Sequence, residues 1–118
     1  MSNTASAQDY LESILVLASS NPAVRSKDIA DYFGFSKPSV SIAMKKLKED
    51  GQIKVDTSGY ITLTDEGKKI ADKVYDRHKV LFSWLKSIGV PEETAEKDAC
   101  LMEHIISEET FKAIKEVQ

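Results

Sequence analysis

Residues 26–63 read SKDIADYFGFSKPSVSIAMKKLKEDGQIKVDTSGYITL, and this stretch decides the fold. Ile29, Ala30 and Phe33 share one face of a short helix that Ser26 is placed to cap. Gly34 is the residue type that accepts the left-handed conformation closing such a helix. Ser36 is placed to cap a second helix. Pro38 falls in its first turn, where a missing N–H forfeits no helical hydrogen bond. Val40, Ala43, Met44 and Leu47 then keep the i, i+3, i+4, i+7 rhythm of a buried stripe until Asp50-Gly51 stops it. Ile53-Lys54-Val55 and Tyr60-Ile61-Thr62-Leu63, joined by Asp56-Thr57-Ser58-Gly59, read as a hairpin. Helix, short turn, helix and hairpin is the order of a winged helix-turn-helix.

That order selects candidate DNA contacts. With the stripe facing inward, helical geometry puts Pro38, Ile42, Lys45, Lys46 and Glu49 on the opposite side. In this motif the start of the second helix meets base edges, while Lys and Ser side chains and helix N-termini hold phosphates. Ser39, Ser41 and Ile42 are expected near bases, Ile42 against a thymine methyl. Arg25, Lys27, Lys37, Lys45 and Lys46 are expected on phosphates. Ser36 and Pro38 shape the helix start, and Thr57-Ser58-Gly59 would follow the backbone. A Lys-rich helix face is by itself more often only solvated, Ile42 is also suited to packing on another subunit, and Glu49 would repel phosphate. The element order is what favours DNA.

Outward from this segment the pattern is helical. Tyr10, Leu11, Ile14, Leu15, Leu17 and Ala18 recur at helical spacing, with Ser6 as candidate cap and Asp9 three residues on; Asn21-Pro22 ends the run. Thr64 is placed to cap a long helix from about Asp65 to Ile88, with the stripe Ile70, Val74, His78, Leu81, Leu85 and Ile88. At 1.5 Å per residue it would be roughly 35 Å long, more than a small core needs. Gly89 ends it, Pro91 with Glu92 and Glu93 opens a fifth helix, and Ser107 caps a last one holding Phe111, Ile114 and Val117.

Composition sets the outer limits. The 118 residues are 42% hydrophobic and 30% charged, which suits a folded chain rather than a disordered one. Sixteen basic against 19 acidic residues give a net charge of −3, so a uniformly basic nucleic-acid coat is excluded and any such surface must be local. Residues 24–79 hold 12 basic and 9 acidic side chains, and residues 80–118 hold 4 and 8, which places that surface in the middle of the chain. One cysteine forms no intrachain disulfide. The apolar run Ile14–Ala18 follows two acids and no base, so it reads as neither a signal peptide nor a membrane span. A cytoplasmic location and no membrane partner are expected.

Near the end stands Cys100-Leu101-Met102-Glu103-His104. On an ideal helix Cys100 lies roughly 60° from Glu103 and 40° from His104, so all three would share one narrow face. Thiolate, carboxylate and imidazole together make half of a divalent-metal site. Asp9 and Glu12 share one side of the first helix, and His78 interrupts the apolar stripe of the long one. Plain structural roles fit each residue as well: His104 and His78 as buried imidazoles, Cys100 as a small hydrophobe, Asp9 as a cap and Glu12 as a surface acid.

Asp9-Tyr10-Leu11-Glu12, Ser36-Lys37-Pro38-Ser39-Val40-Ser41, Leu63-Thr64-Asp65-Glu66-Gly67, Arg77-His78 and Asp98 through His104 together resemble the DtxR/MntR family of metal-dependent transcriptional repressors. The resemblance implies a mainly α fold with a small β-hairpin wing: a winged helix-turn-helix DNA-binding domain over residues 1–64, then a long connecting helix and a helical dimerisation and metal-binding region over residues 65–118. It implies a homodimer, activated by Mn²⁺ or Fe²⁺ with Zn²⁺ as a further candidate, that binds a palindromic double-stranded operator without an organic cofactor. The ligands it implies are Asp9, Glu12, His78, Cys100, Glu103 and His104. Asp9 and Glu12 match the manganese-responsive branch and Cys100 the iron-responsive one, so the site is a hybrid. The iron branch builds a second site with a Glu where Phe82 stands and a His where Glu96 stands, and it carries an SH3-like third domain; neither is expected here. Val80, Leu81, Trp84, Leu85, Leu101 and Ile105 are the expected dimer interface. The alternative function is a winged-helix regulator not controlled by metal. A metalloenzyme with Glu103 as acid/base is disfavoured, because no phosphate loop, H-E-x-x-H helix or nucleophile triad is present.

Overall fold

The computed structural model describes residues 5–117, with side chains from Ser6 onward. Within them lie six helices and one two-stranded hairpin: α1 (Ala5–Ala18), α2 (Ser26–Phe33), α3 (Lys37–Glu49), β1 (Ile53–Val55), β2 (Ile61–Leu63), α4 (Asp65–Ser87), α5 (Glu92–Met102) and α6 (Glu108–Glu116). The expected fold class is the one observed. The chain divides into two compact units, one ending at Asp72 and the other beginning at Lys73, so α4 contributes its first turns to one and the rest to the other.

In the first unit, Leu11 and Ile14 of α1, Ile29 and Ala30 of α2, Val40, Met44 and Leu47 of α3, and Ile53 and Ile61 of the hairpin close one core, joined by Val24 and Ala71. Each element supplies its apolar stripe, as burial of amphipathic faces requires. β1 and β2 are antiparallel, with Ile53 opposite Leu63 and Val55 opposite Ile61. Asp56 shapes the loop between them, its carboxylate accepting from the amides of Ser58 and Tyr60 at 2.9 Å each. β2 begins at Ile61 rather than Tyr60.

The helix ends explain the turn chemistry. Gly34 is left-handed at φ 73° and its N–H reaches the Ala30 carbonyl at 2.8 Å. Ser36 caps α3 by accepting from the Ser39 amide at 3.4 Å. Thr64 caps α4 by accepting from the Gly67 amide at 3.1 Å while its hydroxyl donates to the Gly51 carbonyl at 2.7 Å. Gly67 is required for space: a Cβ there would stand 1.9 Å from the Gln52 carbonyl oxygen. That contact gives the Leu-Thr-x-x-Gly stretch its physical reason, since α4 leaves against the backbone that enters the hairpin.

Two expected caps are corrected. Ser6 lies inside α1, which already includes Ala5. Ser26 is the first residue of α2, not its cap; the cap position is Arg25, and the Asp28 carboxylate accepts from its amide at 2.9 Å.

The second unit has a smaller core of Leu81, Leu85, Ala95, Ala99 and Ile114, with Val80, Phe82, Trp84, Val90, Met102 and Ile106 packed against it. Leu81 and Leu85 are therefore core of their own unit and not interface, which corrects that expectation. Ile88 falls beyond the end of α4 and is exposed, as is Val117 after α6. Among the described residues no helix is long and apolar enough to cross a membrane.

Candidate metal centre and nucleic-acid face

The metal candidates of the second unit meet around His78. Its position in the α4 stripe carries the ring inward, leaving 13% of the side chain exposed. Nδ1 lies 3.0 Å from Glu103 Oε2 and 3.8 Å from Cys100 Sγ. Nε2 lies 3.1 Å from Glu96 Oε1, and Cys100 Sγ is 3.9 Å from that same oxygen. Phe82 stacks on the ring at 6.3 Å between centroids.

Glu103 is the unusual member, a carboxylate with 1% of the residue exposed. α5 ends at Met102, so Glu103 is the residue that closes the helix and His104 lies in the turn beyond; the expected single helical face of Cys100, Glu103 and His104 is corrected accordingly. Glu103 keeps nearly helical dihedrals, φ −59° and ψ −22°, and its N–H reaches the Ala99 carbonyl at 3.0 Å, so it still follows Cys100 around the axis. Arg77 fixes this turn. Its guanidinium donates to the carbonyls of Glu103 at 3.2 Å and Ile106 at 3.1 Å and pairs with Glu108. The guanidinium holds the Glu108 carboxyl below its ordinary range.

The electrostatics favour a cation. Hydrogen bonding to Cys100 and then to Glu103 outweighs burial and pushes the His78 pKa up to about 11. A proton held that firmly marks a place where the surroundings stabilise positive charge. One imidazolium cannot neutralise both carboxylates it touches. Glu103 Oε1 is buried with no hydrogen-bond partner, and His104 Nε2 approaches it at 3.4 Å without hydrogen-bond alignment. Buried carboxylate oxygens are ordinarily bonded or bound to metal. Imidazole, thiol and carboxylates, with one of those oxygens orphaned, fit a divalent ion.

Glu96 was not among the expected ligands, because the resemblance puts a His at its position; it stands four residues before Cys100 on one helix and so shares its face. The other two acids, Asp9 and Glu12, sit on α1 in the first unit, both half-buried.

The DNA candidates lie on α2, α3 and their flanks. Lys27, Ser36, Lys37, Pro38, Ser39, Ser41, Lys45 and Lys46 are exposed, and Ile42 is 73% exposed, while Val40, Met44 and Leu47 face the core. Ser36 and Ser39 also bond to each other, hydroxyl to hydroxyl, at 2.9 Å, which ties Ser36 to the helix start. Arg25 lies over the Tyr60 ring at 4.7 Å, and the Val24 carbonyl accepts from the Ile61 amide at 2.7 Å. Those two contacts seat Arg25 beside the hairpin.

Residues 3–61 match the family model of the iron-dependent repressor N-terminal DNA-binding domain, and residues 64–117 match that of the iron-dependent repressor metal-binding and dimerisation domain. The chain belongs to the DtxR/MntR family, the iron-dependent repressors. It is 36% identical over 107 residues to the transcriptional regulator MntR of Escherichia coli, covering 91% of this chain and 69% of that protein. It is 32% identical over 112 residues to an uncharacterised HTH-type transcriptional regulator of Methanocaldococcus jannaschii, covering 93% and 90%. Among solved structures, a manganese-dependent transcriptional repressor in complex with manganese superposes with a TM-score of 0.86 at 30% identity. The match covers 94% of this chain and 51% of the other, so the chain spans about half the length of that repressor.

Proposed function

We propose that this member of the family is a metal-dependent DNA-binding transcriptional repressor, a homodimer activated by Mn²⁺ or Fe²⁺, with Zn²⁺ as a further candidate, on a palindromic double-stranded operator. The observation that carries the metal reading is the His78 cluster: an imidazole between Cys100 and two carboxylates, with Glu103 Oε1 buried and unpartnered. The proposed ligands are His78, Cys100, Glu103 and His104, with Asp9 and Glu12 as further donors on their resemblance to family ligand positions.

A divalent cation supplies, when bound, a fixed positive charge in place of the His78 proton. His78 must then free a ring nitrogen and Cys100 its thiol proton, so affinity rises with pH. Arg77 keeps the turn from Glu103 to Ile106 in place and so holds the Glu103 carboxylate where it is needed. On the DNA side, Ser39, Ser41 and Ile42 are proposed to approach bases. Arg25, Lys27, Lys37, Lys45 and Lys46 are proposed to hold phosphates, while Ser36 and Pro38 set the helix start. Leu101 and Ile105, 68% and 79% exposed, offer the second unit's apolar surface for a second copy. A two-fold dimer would place two recognition helices on half-sites one helical turn apart.

A gel shift on the promoter of the protein's own gene tests this. Mn²⁺ or Fe²⁺ should tighten binding relative to EDTA by roughly 5–150-fold, the range of ordinary linkage. Equal shifts with metal and with EDTA would overturn metal control and leave a regulator that acts without it.

A further inference from the structure

We propose that Glu108 of α6 is a positioning residue for the metal centre: acting through Arg77, it fixes the place of Glu103 and couples the packing of α6 to cation binding. The inference rests on the metal reading above and extends it to a residue outside the ligand set.

One guanidinium spans the whole connection between α5 and α6. Arg77 Nη1 donates to the carbonyl of Glu103, where α5 closes, and to that of Ile106, while Nη2 pairs with Glu108 in the first turn of α6. The Ser107 hydroxyl caps α6 by accepting from the Thr110 amide at 3.1 Å, so the chain from Glu103 to Glu108 is pinned at both ends. The buried Phe111 ring faces the same guanidinium at 5.4 Å. The Arg77 side chain is 12% exposed and that of Glu108 57%, so the pair runs from the interior to the surface.

A guanidinium is always charged, and a buried charge is tolerated only when it is paired. Arg77 already has one N–H unsatisfied, at its buried Nε. Glu108 supplies the counter-charge. Without it Arg77 is drawn toward water, and the two carbonyls lose their donor. Glu103 then lacks a fixed backbone from which to aim a carboxylate that is almost wholly buried. Lys73 also reaches Glu108, at 3.4 Å, but that pair lies in solvent, where an ion pair contributes little. Linkage is reciprocal: a cation that fixes Glu103 also steadies Arg77, and α6 with it.

The test measures Mn²⁺ affinity and amide hydrogen exchange on EDTA-stripped, reduced full-length protein. Glu108→Gln should weaken Mn²⁺ by roughly 10-fold, the scale set by residues that only hold a ligand in place. Glu108→Asp, which returns the carboxylate, should recover most of that affinity. Glu109→Gln removes the same charge one residue away and should cost far less. When Arg77 is already Lys, Glu108→Gln should add less than about a 2-fold loss, because the two residues act as one unit. In the metal-free protein the amides of Glu103 and Ile106, bonded to the Ala99 and Met102 carbonyls, should exchange faster in Glu108→Gln than in Glu109→Gln. Mn²⁺ should slow exchange at Phe111 in wild type and not in Glu108→Gln. Circular dichroism should be unchanged in Glu108→Gln, as expected for an exposed position. If Glu108→Gln and Glu109→Gln match in affinity and in exchange, Glu108 acts only as surface charge, and the proposal falls while the metal reading stands. If wild type binds no Mn²⁺, both fall together.

Discussion

The two units of this chain are held together by different physics. The first closes eleven buried apolar residues around helix caps and a hairpin. The second has a core of five buried residues and, beside it, a carboxylate with 1% exposure and an Arg77 whose Nε is also buried without a partner. Apolar burial dominates the first; in the second, the buried Glu103 carboxylate oxygen costs about 1–3 kcal/mol unless something binds it. The contrast teaches where regulation can enter: a ligand acts on the part of a protein that is incomplete without it.

The largest expected effect tests the first half of that contrast. Leu11 is fully buried, and Leu11→Ala should lower stability by about 2–5 kcal/mol in urea unfolding. Added Mn²⁺ should leave that loss in place; full rescue by the cation would erase the distinction between the units. Next, Glu103→Gln keeps size and shape but removes the buried charge. Wild type should gain about 2.7 kcal/mol at a cation concentration one hundred times Kd, and this variant should gain little. An undiminished gain would remove Glu103 from the site.

A pH series sharpens the comparison without mutation. Because the His78 pKa is raised to about 11, its contribution to metal-free stability is fully present below the ordinary value of 6.5 and is lost as pH rises through about 11. Its ring resonances, assigned with His78→Gln, should not titrate between pH 6 and 8 in the metal-free protein. A midpoint near 6.5 would contradict the cluster. The smallest effect on stability belongs to the first unit's surface: Ile42→Ala should change it by no more than about 0.5 kcal/mol. The same variant should weaken operator binding while sparing non-specific DNA, as loss of a base contact does.

Much of the first unit was legible because its signals are local. Gly34, Ser36, the Val40–Met44–Leu47 stripe and Thr64 act within a turn of themselves, so spacing alone finds them. The cap of α2 was missed because Asp28 works backward from the third helical residue, and a Ser at the boundary is the more familiar sign. In the second unit the ambiguity is tertiary. Leu81 and Leu85 are equally apolar whether they face their own unit or another copy, and only packing assigns them to the core. The ideal-helix reading of Cys100, Glu103 and His104 ran two residues past the end of α5, though Glu103 keeps enough helical character to stay near Cys100. Glu96 was set aside because the resemblance puts a His at its position and a Glu where Phe82 stands; only the fold brings its carboxylate against His78, eighteen positions earlier in the chain.

The central claim is that the second unit holds a divalent cation through His78 and Cys100. Equilibrium dialysis of Mn²⁺ and Fe²⁺ against anaerobically purified wild type, His78→Ala and Cys100→Ala tests it most directly. The account predicts saturable binding by wild type and at least about a 10-fold loss of affinity in each variant. Equal affinity in all three proteins, or none in wild type, would contradict it.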